Sequence, residues 1–383
     1  MDILMVGWEF PPFYTGGLGI HCYHLTRNLS SQGVNITFLM PKNRFHPKCD
    51  YMKIVEVDSS FVPGPYASLA KVGENYDGKL FDNIWKYNQL CLAYALQEKF
   101  DLIHCHDWMT AIAGITIKQA TGKPLVVTIH STEYDRTGSL SPNPWVLDRE
   151  RNMVQIADVI ITVSDAMKKQ LIERFNADPN KIVVIYNAID HENWTIQQVK
   201  GRFPNEKIVL FLGRLTLQKG PDFFLKAAKR VLEKEKDVTF VIGGKGDMLP
   251  QLIRQAIELG ISDKVMFLGY VPDDELPRLY SAADVFVLSS VSEPFGITVL
   301  EAIASGTPTI ITKQSGVREV VKHAFAVDFW DIDEMANKIL ALITYSPLYK
   351  SMRENGKREI SSYTWDKVAG RTIEKAYRQV AHL

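Results

Sequence analysis

Two carboxylates eight positions apart, Glu293 and Glu301, bracket Ser292-Glu293-Pro294-Phe295-Gly296-Ile297-Thr298-Val299-Leu300-Glu301-Ala302. Pro294 and Gly296 break the chain after an apolar run. Thr298 is expected to open a helix, whose first N–H groups are then free for an anion. Glu301, three residues on, can close a capping box with Thr298 or reach a ligand held at the helix mouth. Glu293 sits in the loop itself. Backbone N–H groups of the Phe295–Thr298 stretch on phosphate, with one carboxylate on a ribose and one on a hexose, would suit a sugar nucleotide.

Upstream, Gly213-Arg214-Leu215-Thr216-Leu217-Gln218-Lys219-Gly220 follows an apolar run. Arg214 and Lys219, five apart after a strand, can converge on one phosphate group, a planar fork beside a point charge. The spacing is not that of a Walker loop. Gly243-Gly244-Lys245-Gly246-Asp247 ends the next run, where Gly244 and Gly246 either cradle a base or phosphate or simply turn the chain. Tyr270 and Tyr280 are candidates for a base pocket or for plain packing.

In the first half, Trp8-Glu9-Phe10-Pro11-Pro12 leads into Thr15-Gly16-Gly17-Leu18-Gly19. Gly16 and Gly17, between a strand and a helix start, let backbone approach an anion or make a tight turn. The third glycine of the dinucleotide fingerprint is missing, which disfavours an NAD enzyme. His104-Cys105-His106-Asp107-Trp108 ends another strand. Histidines two apart share a strand face, so a metal site has to be weighed, but no second ligand cluster with suitable spacing supports it. Asp107 begins a substrate-facing loop or caps the following helix. His130 leaves a buried strand, Val126-Val127-Thr128-Ile129, to hydrogen-bond a substrate or to serve the core.

The elements that must position these residues alternate regularly. Apolar runs at Ile3–Val6, Val34–Met40, Leu102–Cys105, Leu125–Ile129, Val159–Val163 and Ile182–Ile185 are separated by helical patterns. The rhythm restarts at Ile208–Leu212 and continues through Thr239–Ile242, Val265–Leu268, Val285–Leu288 and Thr309–Ile311. Runs without alternation are strands covered on both faces, and a βαβα order implies parallel sheets. The polar stretch Asp190–Lys207 reads as a linker between two doubly wound α/β domains facing across a cleft. A helix is expected over Trp365–His382.

The chain has 383 residues with 44 Lys+Arg against 44 Asp+Glu, so its formal net charge is zero. That argues against nucleic acid or an anionic membrane as the main partner. Split near residue 195, the first part carries 18 basic and 21 acidic residues, leaving 26 and 23 for the second, the likelier-charged home for an anionic ligand. Cys22, Cys49, Cys91 and Cys105 form no CxxC pair and read as reduced cytosolic thiols. The N-terminal run stops at Gly7, as a strand does and a signal peptide does not. No stretch approaches the roughly 18 apolar residues of a membrane span.

Taken together, these residues resemble the GT-B glycosyltransferases, specifically family four and its close relatives the glycogen and starch synthases, with the opening segment similar to the shorter, archaeal-type glycogen synthases. The resemblance spans nearly the whole chain. Its most specific part is the Glu-x7-Glu motif from Glu293 to Glu301, joined by Gly213-Arg214…Lys219-Gly220, the Gly-Gly-Leu loop, His-x-His-Asp-Trp and His130 in the same order. It implies two Rossmann-like domains, 1–195 on the acceptor side and 196–362 for the nucleotide sugar, with a C-terminal helix over 363–383 crossing back to the first. It implies that Arg214 and Lys219 bind the donor diphosphate, Glu301 the ribose and Glu293 the hexose beside the anomeric carbon. His130 and Asp107 would lie at the transferred sugar, and Gly16 and Gly17 would offer N–H groups to diphosphate or sugar.

The family's reaction is retaining and usually needs neither bound metal nor other cofactor, so no metal site is expected. The implied partners are a nucleotide-glucose donor, UDP- or ADP-linked, and an α-1,4-glucan or other glycan acceptor, in the cytoplasm. The pattern specifies no oligomeric state. One departure stands out: Tyr14 occupies the position where bacterial glycogen and starch synthases carry the lysine of Lys-x-Gly-Gly-Leu. The alternative reading is a family-four transferase with another sugar and a lipid, small-molecule or surface-polysaccharide acceptor. A non-catalytic sugar-nucleotide-binding protein and an epimerase are further rivals.

Overall fold

A computed structural model describes residues 1–14, 16–42, 46–58, 78–194 and 206–381. Thr15 of the glycine loop, residues 195–205 of the expected linker and the last two residues of the tail lie outside the described residues. The chain divides into two compact units. Unit 1 comprises Met1–Tyr134, Ser139–Asn187 and Trp365–Leu383, and unit 2 comprises Ala188–Thr364 with the short stretch Asp135–Gly138. The main boundary therefore falls at Asn187/Ala188, eight residues before the expected 195/196.

Unit 1 is built on seven strands, β1 (Asp2–Val6), β2 (Asn35–Pro41), β3 (Lys53–Val57), β4 (Leu102–His106), β5 (Leu125–Ile129), β6 (Val159–Thr162) and β7 (Ile182–Val184). They pair in parallel in the order β3-β2-β1-β4-β5-β6-β7. Unit 2 repeats the plan with β8 (Lys207–Leu212), β9 (Val238–Gly243), β10 (Val265–Gly269), β11 (Val285–Leu288), β12 (Thr309–Thr312) and β13 (Phe325–Val327), in the order β10-β9-β8-β11-β12-β13. Both are doubly wound sheets of Rossmann type. The strand order reverses between β1 and β4 in one unit and between β8 and β11 in the other. Such switch points, at the carboxyl ends of the strands, are where this architecture holds ligands.

The central strands are buried along their whole length, as the absence of alternation requires. All five residues of β4 and of β5 are buried, as are all four of β11 and β12. Helices cover them with narrow apolar faces. Helix Pro221–Leu232 buries Phe224, Leu225, Ala228, Val231 and Leu232 at helical spacing, against Phe211, Phe240 and Val285. Two strands fall outside the expected set. β3 is half-buried and broken by Lys53 and Glu56, and β13 has three residues, too short for a run to register.

The tail is helical over Trp365–Thr372 and continues through a π-helical turn, Ile373–Tyr377. It packs on helix Gly17–Ser31 within unit 1. The Trp365 ring lies edge-on to His21 and stacks on His24, and Gln32 donates to the Asp366 carbonyl. Tyr377 is fully buried and its hydroxyl meets His104 Nδ1 at 2.7 Å.

Candidate active site

In unit 2 the loops after β8 and β11 meet at the switch point. Lys219, on a 3₁₀ turn formed by Leu217–Lys219, places Nζ 2.5 Å from Glu293 Oε2. Ser290 Oγ donates to the same carboxylate oxygen at 3.0 Å. The pair is largely covered, with side chains 19% and 8% exposed. Gly220 follows Lys219 at φ 60°, and a Cβ there would sit 2.3 Å from the Ser289 carbonyl oxygen. Only glycine lets the two loops close to this distance. Ser289 Oγ seals the approach by donating to the Gly220 carbonyl at 2.8 Å. Arg214, on the same loop, donates to Gln218 Oε1 at 3.2 Å.

Glu293 is held in place by its backbone. Its N–H donates to the Gln314 carbonyl and its carbonyl accepts from Gly316, a bridge to the loop after β12. The helix that follows runs Ile297–Ala304, with Gly296 at φ 110° as its N-cap, no side-chain cap and no acidic residue in its first turn. The helix thus opens at Ile297 rather than at the expected Thr298, and of the two roles open to Glu301 the capping box is not formed. Glu301 lies one turn further along, where it accepts from the Tyr280 hydroxyl at 2.9 Å. Tyr280 is fully buried and is therefore a support for Glu301 rather than a base-stacking surface. Burial pushes the Glu301 carboxyl up to about 7; the Tyr280 hydrogen bond lowers it and Asp273 raises it further.

The glycines after β9 knit loops together. Cβ atoms at Gly244 and Gly246 would stand 1.9 Å from the Gly213 carbonyl oxygen and 2.2 Å from that of Leu215. Leu215 N–H donates to the Lys245 carbonyl at 2.9 Å. Their direct effect is to seat the loop that carries Arg214. Tyr270 is 63% exposed, with Lys245 Nζ 5.5 Å from its ring centre, and Phe295 is buried. Ile297 and Thr298 are half-buried on the first turn of their helix.

In unit 1, four histidines gather at and near the carboxyl ends of β4 and β5. His104 is locked between Tyr377 and Thr128, with 2.7 Å to each hydroxyl. Both its nitrogens are thereby engaged, so His104 and His106 do not act as a chelating pair. His106 Nδ1 lies 3.1 Å from His130 Nε2. His21, from helix Gly17–Ser31, packs edge-on to the His130 ring at 4.4 Å and donates through Nδ1 to Asn187 Oδ1 at 2.7 Å. Burial lowers all four imidazoles, His104 and His130 to about 3, so they are neutral at neutral pH. His21, Asn187, Ser290 and Gln218 carried no motif of their own in the sequence. His21 and Asn187 come to light only when distant segments converge, and Ser290 and Gln218 only when the loops that carry them fold back on Glu293 and Arg214.

Asp107 has φ 58° and ψ 174°, a backbone region that side chains with a Cβ rarely enter. Its carboxylate makes no hydrogen bond capping the following turn; Oδ1 accepts the backbone N–H of His130 at 2.7 Å. Asp107 thus fixes where His130 leaves β5. Asp107→Ala is expected to lower stability by about 1–3 kcal/mol, since it keeps the strained backbone and leaves a part-buried N–H without its acceptor. Asp107→Asn, which retains the acceptor oxygen, is expected to lose much less. Urea midpoints of the two variants check this. Gly16 is extended, and nothing lies within 4 Å of a Cβ built on it; Gly17 opens the helix and is exposed.

Among the described residues no helix is long and apolar enough to cross a membrane, and all four cysteines are free thiols.

Known proteins give the same picture. Residues 15–193 match the model for Glycosyltransferase Family 4, and residues 192–359 match that for glycosyl transferases group 1. An uncharacterised glycosyltransferase of Methanocaldococcus jannaschii is 32% identical over 97% of each chain. Glycogen synthase of Mycobacterium tuberculosis is 30% identical over 84% of this chain and 80% of its own. Mannosylfructose-phosphate synthase of Agrobacterium fabrum is 28% identical over 93% and 85%. Among solved structures, sucrose-phosphate synthase of Thermosynechococcus elongatus superposes with a TM-score of 0.81 at 20% identity, covering 99% of this chain and 98% of that one. With two doubly wound units and relatives aligned almost end to end, the chain belongs to the family-four GT-B glycosyltransferases and is a hexosyltransferase.

Proposed function

We propose that this transferase moves glucose from a nucleotide-glucose, UDP- or ADP-linked, onto an α-1,4-glucan with retention of configuration, in the cytoplasm. The observation that carries the donor half is the covered Lys219–Glu293 pair at the switch point of the unit 2 sheet, next to a helix start capped by Gly296. In this reading Lys219 and Arg214 meet the diphosphate, and the free N–H groups at Gly296–Thr298 add positive potential without a competing acid. Two cations and a helix start can neutralise a departing diphosphate with no metal ion or other cofactor. Glu293, released from Lys219 as the diphosphate takes its place, accepts hydroxyls of the sugar and faces the charge that develops at the anomeric carbon. Glu301 accepts from the ribose. His130, neutral and aimed by Asp107, contacts the transferred sugar. The glucan half rests on the likeness to glycogen synthase.

The test is release of nucleoside diphosphate from a panel of sugar nucleotides with and without glycogen. Release from UDP- or ADP-glucose that rises with glycogen, with radiolabel entering polymer, is the expected result. A response to another donor, or indifference to glycogen, would leave a family-four transferase with a different acceptor.

A further inference from the structure

Of the histidines clustered in unit 1, the proposed transfer uses only His130. One ring nitrogen each of His21, His106 and His130 lie within 4.8 Å of one another. Among the described residues, His21 Nε2 and His106 Nε2 are buried and have no hydrogen-bond partner. Leaving a buried imidazole nitrogen dry and unpaired, as at His21, is costly unless something else takes it up.

We infer that His21, His106 and His130 form a three-histidine site for a borderline divalent transition metal, with zinc the best match. Imidazole nitrogen suits zinc, cobalt(II) and nickel(II), whereas magnesium and calcium require oxygen ligands. Zinc–nitrogen bonds of about 2.0–2.1 Å in a tetrahedron set neighbouring nitrogens about 3.3–3.4 Å apart. His106 Nδ1 and His130 Nε2 stand 3.1 Å apart, joined by a hydrogen bond that an ion would replace, and one nitrogen of each of the three rings lies within 4.8 Å of the others, so that the unpaired His21 Nε2 is the nitrogen the site takes up. The tautomer of His21 is prepared as well: Asn187 Oδ1 holds the proton on Nδ1, leaving the Nε2 lone pair to bind. His130 is half-buried and gives the site an edge toward solvent, and three protein ligands leave a fourth position open. The ion is a competitor, not a participant: it would take the His130 nitrogen that the proposed function assigns to the sugar, so a consequence resting on that reading is inhibition of transfer by zinc.

The experiment uses the full chain, stripped with chelator and titrated with cobalt(II), then with zinc. One equivalent of cobalt with the visible absorption of a tetrahedral nitrogen site, displaced by zinc, is expected. His21→Asn keeps an amide nitrogen where Nδ1 hydrogen-bonds and removes Nε2; it should weaken binding at least about 100-fold. Asn187→Ala, a gentler change, should weaken it roughly 10- to 100-fold by freeing the tautomer. Near-ultraviolet circular dichroism confirms that each variant is folded. No stoichiometric cobalt, a thiolate charge-transfer band, or unchanged affinity in both variants would overturn the site. Stoichiometric zinc that leaves turnover untouched would instead keep the site and count against the role given to His130.

Discussion

Lys219→Met is expected to lower kcat/KM by about 10³-fold or more, the loss expected when a charge aimed at a leaving group is removed from a covered site. Two effects combine. In the proposed reading the diphosphate loses one of its cations, and Glu293 loses its ion-pair partner at 2.5 Å. With Lys219 gone, a carboxylate that is only 8% exposed keeps the Ser290 hydroxyl as a close donor. Such a carboxylate destabilises the fold, because removing one partner of a covered ion pair leaves the other charge uncompensated. The variant should therefore also melt earlier, by the equivalent of about 1–3 kcal/mol. The double variant Lys219→Met/Glu293→Gln separates the two effects. It should recover most of the stability and none of the turnover. Turnover that returned together with stability would mean that the pair serves the fold alone.

Glu301→Gln is expected to do the opposite to stability. Burial holds this carboxyl at about 7, well above the ordinary glutamate value near 4.3. Between those values the folded chain carries a proton that the unfolded chain has lost. The contribution is thus fully present below about pH 4 and is lost as pH rises through 7. At pH 8 the folded protein holds a buried carboxylate against its tendency, at a cost on the order of 3–4 kcal/mol. Glutamine removes that cost while still accepting from Tyr280, so the donor-free variant should be more stable than the parent at pH 8, by less at pH 5, and equal to it only near pH 4. The gain comes with weaker donor binding. Ribose hydroxyls donate more strongly to a carboxylate than to an amide, and the donor KM should rise roughly 10-fold. In the parent the donor KM should fall as pH rises through 7; in the variant it should be flat. An identical pH slope in both proteins would remove Glu301 from the donor site.

Much of the architecture can be read from residue order. Leu125–Ile129 and Val285–Leu288 are strands covered on both faces, and their uninterrupted apolar character says so directly. Lys53–Val57 is different: an outer strand with two charges in five residues resembles a loop until its pairing with β2 is seen. Helix Pro144–Ile156 is disguised by Asp148-Arg149-Glu150-Arg151, although Asn143 accepts from the N–H groups of Trp145 and Val146 as a good cap should. At the site, residue types were legible and their relations were not. Lys219 and Glu293 stood out as separate charges, 74 positions apart, without any sign that they touch. Asp107 could cap a turn or face a ligand; its oxygen goes instead to the backbone of His130. Tyr280 and Glu301 converge through packing, and no local pattern encodes the proton that Glu301 keeps.

Unit 2 is, in sequence, an insertion within unit 1. Residues 188–364 are contiguous and close their own core, whereas unit 1 draws on the last segment of the chain for Trp365 against His21 and Tyr377 against His104. A ribosome delivers about 5–20 residues per second, so roughly ten seconds or more separate the appearance of His104 from that of Tyr377. Throughout that interval the first sheet is exposed where its final helix belongs. Unit 2 can reach its native form during synthesis, while unit 1 must wait. The order of maturation is thus the reverse of the order of translation, and the window of greatest exposure to chaperones and proteases belongs to the part of the chain made first.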